Sequence, residues 1–168
     1  KNFERDQVSN IRIYFDYSGL NPAKDNLSCT STGQIVQWSM FSEEIECNSE
    51  DIMNENKINI VKATLENIKM FVSSMVQVNK LTSQIFIDQF DDFPCIETVV
   101  ADLYVTVVAR PFPDKYDAVS GSVWNKQVVP SKRPITGAIF VNPKMIPSEA
   151  QDINSENRYM QHSSFNRL

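Results

Sequence analysis

Apolar residues at Ile58, Val61, Leu65, Ile68, Val72 and Met75 recur at steps of three and four, the strongest periodic signal in the chain. Side chains spaced near 3.6 residues return to one face of a helix, so this stretch predicts an amphipathic helix with a single apolar stripe. Ser49-Glu50-Asp51 sets acids ahead of it, where they complement the positive end of a helix. The helix is therefore expected from about Asp51 or Asn56 to about Val78. Such a stripe has to be buried, and a sheet is the surface expected to cover it.

The flanking sequence supplies strand patterns. Ile11, Ile13, Phe15 and Tyr17 alternate with Arg12, Tyr14 and Asp16, which reads as a half-buried strand. Ser18, Gly19, Asn21 and Pro22 end it, and a long polar connection without a clear period runs on to Asn48. Gln84 to Ile87 suggests a short strand. Thr98 to Ala109 is valine-rich and almost continuously apolar, as in a central strand buried on both faces, and Arg110-Pro111-Phe112-Pro113 stops it. Residues 114 to 133 read as a polar loop around Trp124. Pro134 to Val141 reads as another strand, and its flanking prolines at 134 and 143 place it at a sheet edge. After a loop to Asn154, Asn154 or Ser155 caps a last helix beginning near Glu156 and still running at Leu168. Strands and helices in this order predict an α+β fold of packed layers.

Bulk properties exclude several functions. The net charge of -5 and the scattered Lys126, Lys132 and Arg133 leave no basic patch for nucleic acid. The four glycines, Gly19, Gly33, Gly121 and Gly137, are isolated, so no glycine-rich loop cradles a phosphate. No apolar run approaches the roughly 18 residues that span a bilayer, so membrane association is expected only through parts outside these residues. Asp88, Asp91 and Asp92 lie close together but lack the spacing of an EF-hand loop, and a solvated acidic turn is the simpler reading. His162 is the lone histidine, and no Gly-x-Ser-x-Gly elbow offers it a nucleophile. Cys29, Cys47 and Cys95 suit a secreted chain with one disulfide and one odd cysteine. Asn26-Leu27-Ser28 is a glycosylation sequon that fits the same route, with Asn26 as acceptor.

Taken together, several segments are similar to the opening of mature leishmanolysin-like zinc metallopeptidases. They are Ile11-Arg12-Ile13, then Cys29, then Cys47-Asn48-Ser49-Glu50-Asp51-Ile52 and the long helix after it. Ala101-Asp102-Leu103-Tyr104-Val105 resembles the family's central strand, which carries an Asp before the apolar run. The run from Arg133 through Gly137 to Pro143 resembles its edge strand ahead of the catalytic helix, and Lys144 to Gln151 resembles the segment next to that strand in ciliate-type members.

The resemblance implies a zincin-like amino-terminal subdomain over residues 1–168: a twisted mixed sheet, a long backing helix and the start of the active-site helix. It implies a Cys29–Cys47 disulfide just ahead of the long helix. It also implies that Gly137, Ala138, Ile139, Phe140 and Val141 form the strand along which an extended peptide substrate lies. Residues 114 to 133 lack the cysteine that the family places there, which leaves Cys95 free or paired outside the chain. In the family, His-Glu-x-x-His on the next helix binds zinc, and its glutamate activates the zinc-bound water. By the family's spacing that motif is expected just after Leu168, and His162 stands too early to belong to it. No zinc ligand or catalytic base is therefore assigned to this chain, and zinc is expected in the complete protein only. The expected partner is the catalytic half or another protein chain, and the expected location is extracellular or at the cell surface. The competing reading is a leishmanolysin-like scaffold that has lost its chemistry and serves as an extracellular binding or structural protein.

Overall fold

The structure, a computed structural model, describes residues 8–81, 84–86, 98–116, 120–127 and 133–147. Its elements in chain order are β1 (Val8–Asn10), β2 (Ile13–Asp16), β3 (Ile35–Val36), β4 (Ile45–Glu46), α1 (Glu55–Met75), β5 (Gln77–Asn79), β6 (Ile85–Phe86), β7 (Thr98–Val99), β8 (Leu103–Ala109), β9 (Ser120–Gln127) and β10 (Pro134–Val141). Short 3-10 turns occupy Ser18–Leu20, Pro22–Lys24, Ser49–Asp51 and Pro143–Met145. The fold is mixed α+β, in agreement with the pattern of the sequence.

The long helix begins later than Asp51. Asn48 and Asp51 close a capping box around their own 3-10 turn, and Asn54 then caps α1 by accepting from the Lys57 amide at 2.9 Å. The chain is released at Val76, which turns extended so that Gln77–Asn79 can pair antiparallel with β1.

Four strands form the main sheet in the order β2-β8-β10-β9. Strand β8 runs parallel to β2 on one side and to β10 on the other, whereas β9 is antiparallel to β10. Alternate residues of β8 and β10 point to opposite faces. On one face Val107, Ala109 and Val141 pack with Val61 and Leu65 of α1, and with Leu20 and Met53. On the other, Val108, Ala138 and Phe140 pack with Trp38, Phe112, Val36, Ile45 and the half-cystines Cys29 and Cys47. Burial on both faces explains the unbroken apolar character of these strands, and each such side chain contributes about 1.5–3 kcal/mol. A smaller cluster of Ile85, Ala101, Tyr104 and Ile135 fills the far end. The turn Ser18–Leu20 lies directly on β8. A Cβ on Gly19 would stand 2.8 Å from the Val107 carbonyl oxygen, so only glycine fits there.

Several expectations are corrected. The segment read as a loop around Trp124 contains β9, an eight-residue strand. Because β9 covers the outer side of β10, Pro134–Val141 is an interior strand and not an edge. The short strand read at Gln84 to Ile87 is described over Ile85–Phe86, where it pairs with β7 in a ladder of its own. The run Thr98 to Ala109 is two strands, broken where Asp102 turns to bind Arg12. Ile68, expected in the core, is 47% exposed, and the buried part of the helix stripe ends at Leu65. The acidic turn at Asp88 to Asp92, Cys95, the final helix from Glu156 and His162 lie outside the described residues.

Candidate functional site

The parallel strands are held at both ends by ion pairs with buried carboxylates, and these fix the sheet that any site must use. Arg12, Asp102 and Arg133 stand immediately before β2, β8 and β10. The Asp102 side chain is fully buried. Its Oδ2 accepts from the Arg12 amide at 3.0 Å and from Arg12 Nε at 2.8 Å, and its Oδ1 accepts from the Leu81 amide at 2.8 Å. Arg133 Nη1 donates to the Asp102 carbonyl at 2.7 Å, and its Nη2 reaches Oδ1 at 3.4 Å. Burial alone would raise this carboxyl. The hydrogen bonds from Arg12 and the Leu81 amide, with the Arg12 charge, outweigh it and hold the pKa at about 2.

Arg110 stands just past the other end of β8. It makes a two-pronged pair with Asp25, Nε to Oδ2 at 2.7 Å and Nη2 to Oδ1 at 3.0 Å, with both side chains almost wholly buried. The Trp38 ring lies 5.4 Å from this guanidinium, and Trp38 Nε1 donates to the Pro111 carbonyl at 2.9 Å. The Cys29–Cys47 disulfide, with Cα atoms 5.8 Å apart, ties the loop carrying Trp38 on this side. Deeper in the sheet, the Tyr104 hydroxyl donates to the buried Asp16 at 2.5 Å. The sequence marks Asp102 as a break in an apolar run. It carries no sign of the Asp25–Arg110 pair, because an aspartate in a polar loop looks solvated until its partner 85 residues away is known.

Gly137, Ala138, Ile139, Phe140 and Val141 are brought together on β10, where Gly137 to Phe140 are paired on both sides and Val141 is paired with β8. Gly137 to Val141 are in register with Val105 to Ala109 of β8 on one side, and Gly137 to Phe140 with Val123 to Ser120 of β9 on the other. Ala138, Phe140 and Val141 are buried in the two cores. Gly137 is not demanded by space, since a Cβ there would meet only Val105 Cγ2 at 3.9 Å. Among the described residues, the open strand edge on this side of the sheet belongs to β9. Its sequence, Ser-Gly-Ser-Val-Trp-Asn-Lys-Gln, is polar in the way edge strands usually are, and so it reads as a loop. The available signal is the pair Val123 and Trp124, two residues that favour strands.

The described residues do not fit a catalytic zinc. No group of three or more His, Cys, Asp or Glu among them could hold a metal ion. Chemistry explains this as well as geometry: Cys29 and Cys47 are oxidised, while Asp25 and Asp102 are saturated by guanidinium and amide donors. Asn26, the sequon acceptor, is exposed in the turn just after the buried Asp25.

The family model for leishmanolysin matches residues 1–163. The chain therefore belongs to the leishmanolysin family of metallopeptidases. No curated protein matches it at a significant level. Among the described residues, no helix is long and apolar enough to cross a membrane.

Proposed function

We propose that residues 1–168 are the zincin-like amino-terminal subdomain of a leishmanolysin-type zinc endopeptidase working outside the cell or at its surface, and that the outer edge of β9 binds the extended peptide substrate. The observation that carries this is the match of the family model to nearly the whole chain, joined to a sheet whose last strand is antiparallel and, among the described residues, open along one side. An open edge presents backbone N–H and C=O groups to a peptide, which can add itself as a further strand. The substrate role expected of Gly137 to Val141 passes to Ser120–Gln127, and β10 supports that strand from behind. Zinc-activated water supplies the hydrolysis in the complete protein, and the described residues contribute substrate placement and a rigid sheet. The catalytic half is the partner we assign to the far end of α1, where Ile68, Phe71 and Met75 share one face and are exposed. Apolar surface gathered in this way marks an interaction face.

Two preparations test this reading: purified residues 1–168 and the complete protein, each given zinc and a mixed peptide library with and without a chelator. The complete protein cleaves in a chelator-sensitive way and the segment does not. Chelator-sensitive cleavage by the segment would overturn the assignment. Peptide binding without cleavage in the complete protein would favour the scaffold that has lost its chemistry. In hydrogen exchange, a bound uncleavable peptide slows the amides of 120–127. Protection elsewhere, with β9 unchanged, removes β9 as the substrate strand.

A further inference from the structure

The turn that carries the glycosylation sequon is locked by residues made much later in the chain. The Ser28 amide donates to the Asp25 carbonyl at 3.1 Å and the Leu27 amide to the Asp25 carboxylate at 3.1 Å, which leaves Asn26 exposed at the tip. Ser28 itself is buried, and its hydroxyl donates to the Ala109 carbonyl at 2.6 Å, 81 residues further on. Cys29, the next residue, is bonded to Cys47, 18 residues further on. The acceptor thus faces solvent while the hydroxyl of its sequon is withdrawn into the fold.

We propose that Asn26 carries an N-linked glycan, and that its attachment competes with closure of the Cys29–Cys47 disulfide. The proposal rests on the extracellular placement of the chain proposed under its function. In the reaction the Asn26 side-chain nitrogen attacks the anomeric carbon of an oligosaccharide carried on a lipid pyrophosphate. A C–N bond forms, the C–O bond to the pyrophosphate breaks, the lipid pyrophosphate leaves, and the amide proton passes to a base on the transferase. The enzyme has to grip the hydroxyl two residues beyond the asparagine while it orients the amide. Each lock hinders that grip: the bond to Ala109 takes the Ser28 hydroxyl, and the disulfide holds the adjoining Cys29 in a closed loop.

The order of synthesis decides which lock matters. At roughly 5–20 residues per second, Cys47 emerges after Cys29 by about 1–4 s and Ala109 after Ser28 by about 4–16 s. Disulfides form in seconds or longer. Cys47 thus becomes available to Cys29 before Ala109 becomes available to Ser28, so the disulfide is the first of the two locks that can close, and in chains where it closes early it holds the sequon in a closed loop. The exposed tip then accommodates a bulky sugar in the native fold without disturbing the buried Asp25–Arg110 pair beneath it.

The test uses the complete protein behind a heterologous leader peptide in a eukaryotic secretory host. With the route imposed, a missing glycan speaks against the site and not against the location. Pulse-labelled chains are read in lysates, before folding can select among them, by peptide mass at Asn26 with and without glycosidase. The expected result is partial occupancy in the wild type, none in Asn26→Gln, and a rise towards full occupancy in Cys47→Ser or when dithiothreitol is present during labelling. Absence of a glycan at Asn26 in every sample overturns the site. Equal occupancy with and without Cys47, including full occupancy in the wild type, overturns the competition.

Discussion

A carboxylate withdrawn from water is tolerated only when donors replace its hydration. Asp102 meets that condition through Arg12, Leu81 and Arg133, and Asp25 through Arg110. The two cases lead to different measurements. The folded pKa of Asp102, about 2, lies below its ordinary 3.8. Its stabilisation is therefore complete above the unfolded value and is lost as pH falls through the folded one. The difference in urea stability between wild type and Asp102→Asn should be on the order of 1–3 kcal/mol near neutral pH and should shrink between about pH 4 and pH 2. A difference that stays constant across that window would mean that the carboxylate charge is not what holds the strand ends. For the second pair, Arg110→Ala leaves Asp25 buried without its counter-charge and should cost about 3–5 kcal/mol in chemical denaturation. A loss below about 1 kcal/mol would show that Asp25 finds water in the variant.

Along α1 the apolar stripe divides into two parts with different neighbours. Leu65 is packed with Val107 and Val141, and Leu65→Ala should cost about 2–5 kcal/mol in the segment. Phe71, 64% exposed, should change segment stability by no more than about 0.5 kcal/mol when replaced by alanine. In the complete protein the same Phe71→Ala should destabilise clearly, and thermal melts of both preparations check the contrast. The sequence does not divide the stripe, because periodicity reports which side chains share a face and not how far the covering surface extends. Similar reasoning explains what else is legible. Burial on two faces leaves a plain mark on β8 and β10, and the alternation of residues 11 to 17 locates β2. Strand β9 leaves almost none, because a strand of polar composition, paired on one side only among the described residues, satisfies the same rules as a loop. With β9 unseen, β10 takes on the look of an edge. Prolines 134 and 143 strengthen that impression, yet Pro134 stands at the first position of β10 and Pro143 beyond its last, where no ladder bond is required of them.

At the scale of the whole molecule, the ion pairs and the disulfide join residues 18 to 90 positions apart, so the sheet is assembled from distant parts of the chain. Reducing the 18-residue Cys29–Cys47 link should remove roughly 3 kcal/mol, read as a lower denaturation midpoint in reductant. The sheet order holds a further consequence. β10 is made after both of its neighbours yet separates them. A nascent chain that has reached only residue 133 already contains the valine-rich β8, with one flank along β2 and the other bare. β9 is by then also synthesised, but its place in the sheet is beside a strand that does not yet exist. For that interval the chain displays an apolar, unpaired flank, the kind of surface on which other chains polymerise. A fragment ending at residue 133 should therefore sediment as aggregate under conditions that leave one ending at residue 147 monomeric. On that outcome the eight residues from Pro134 to Val141 serve as an internal chaperone for the strands that precede them.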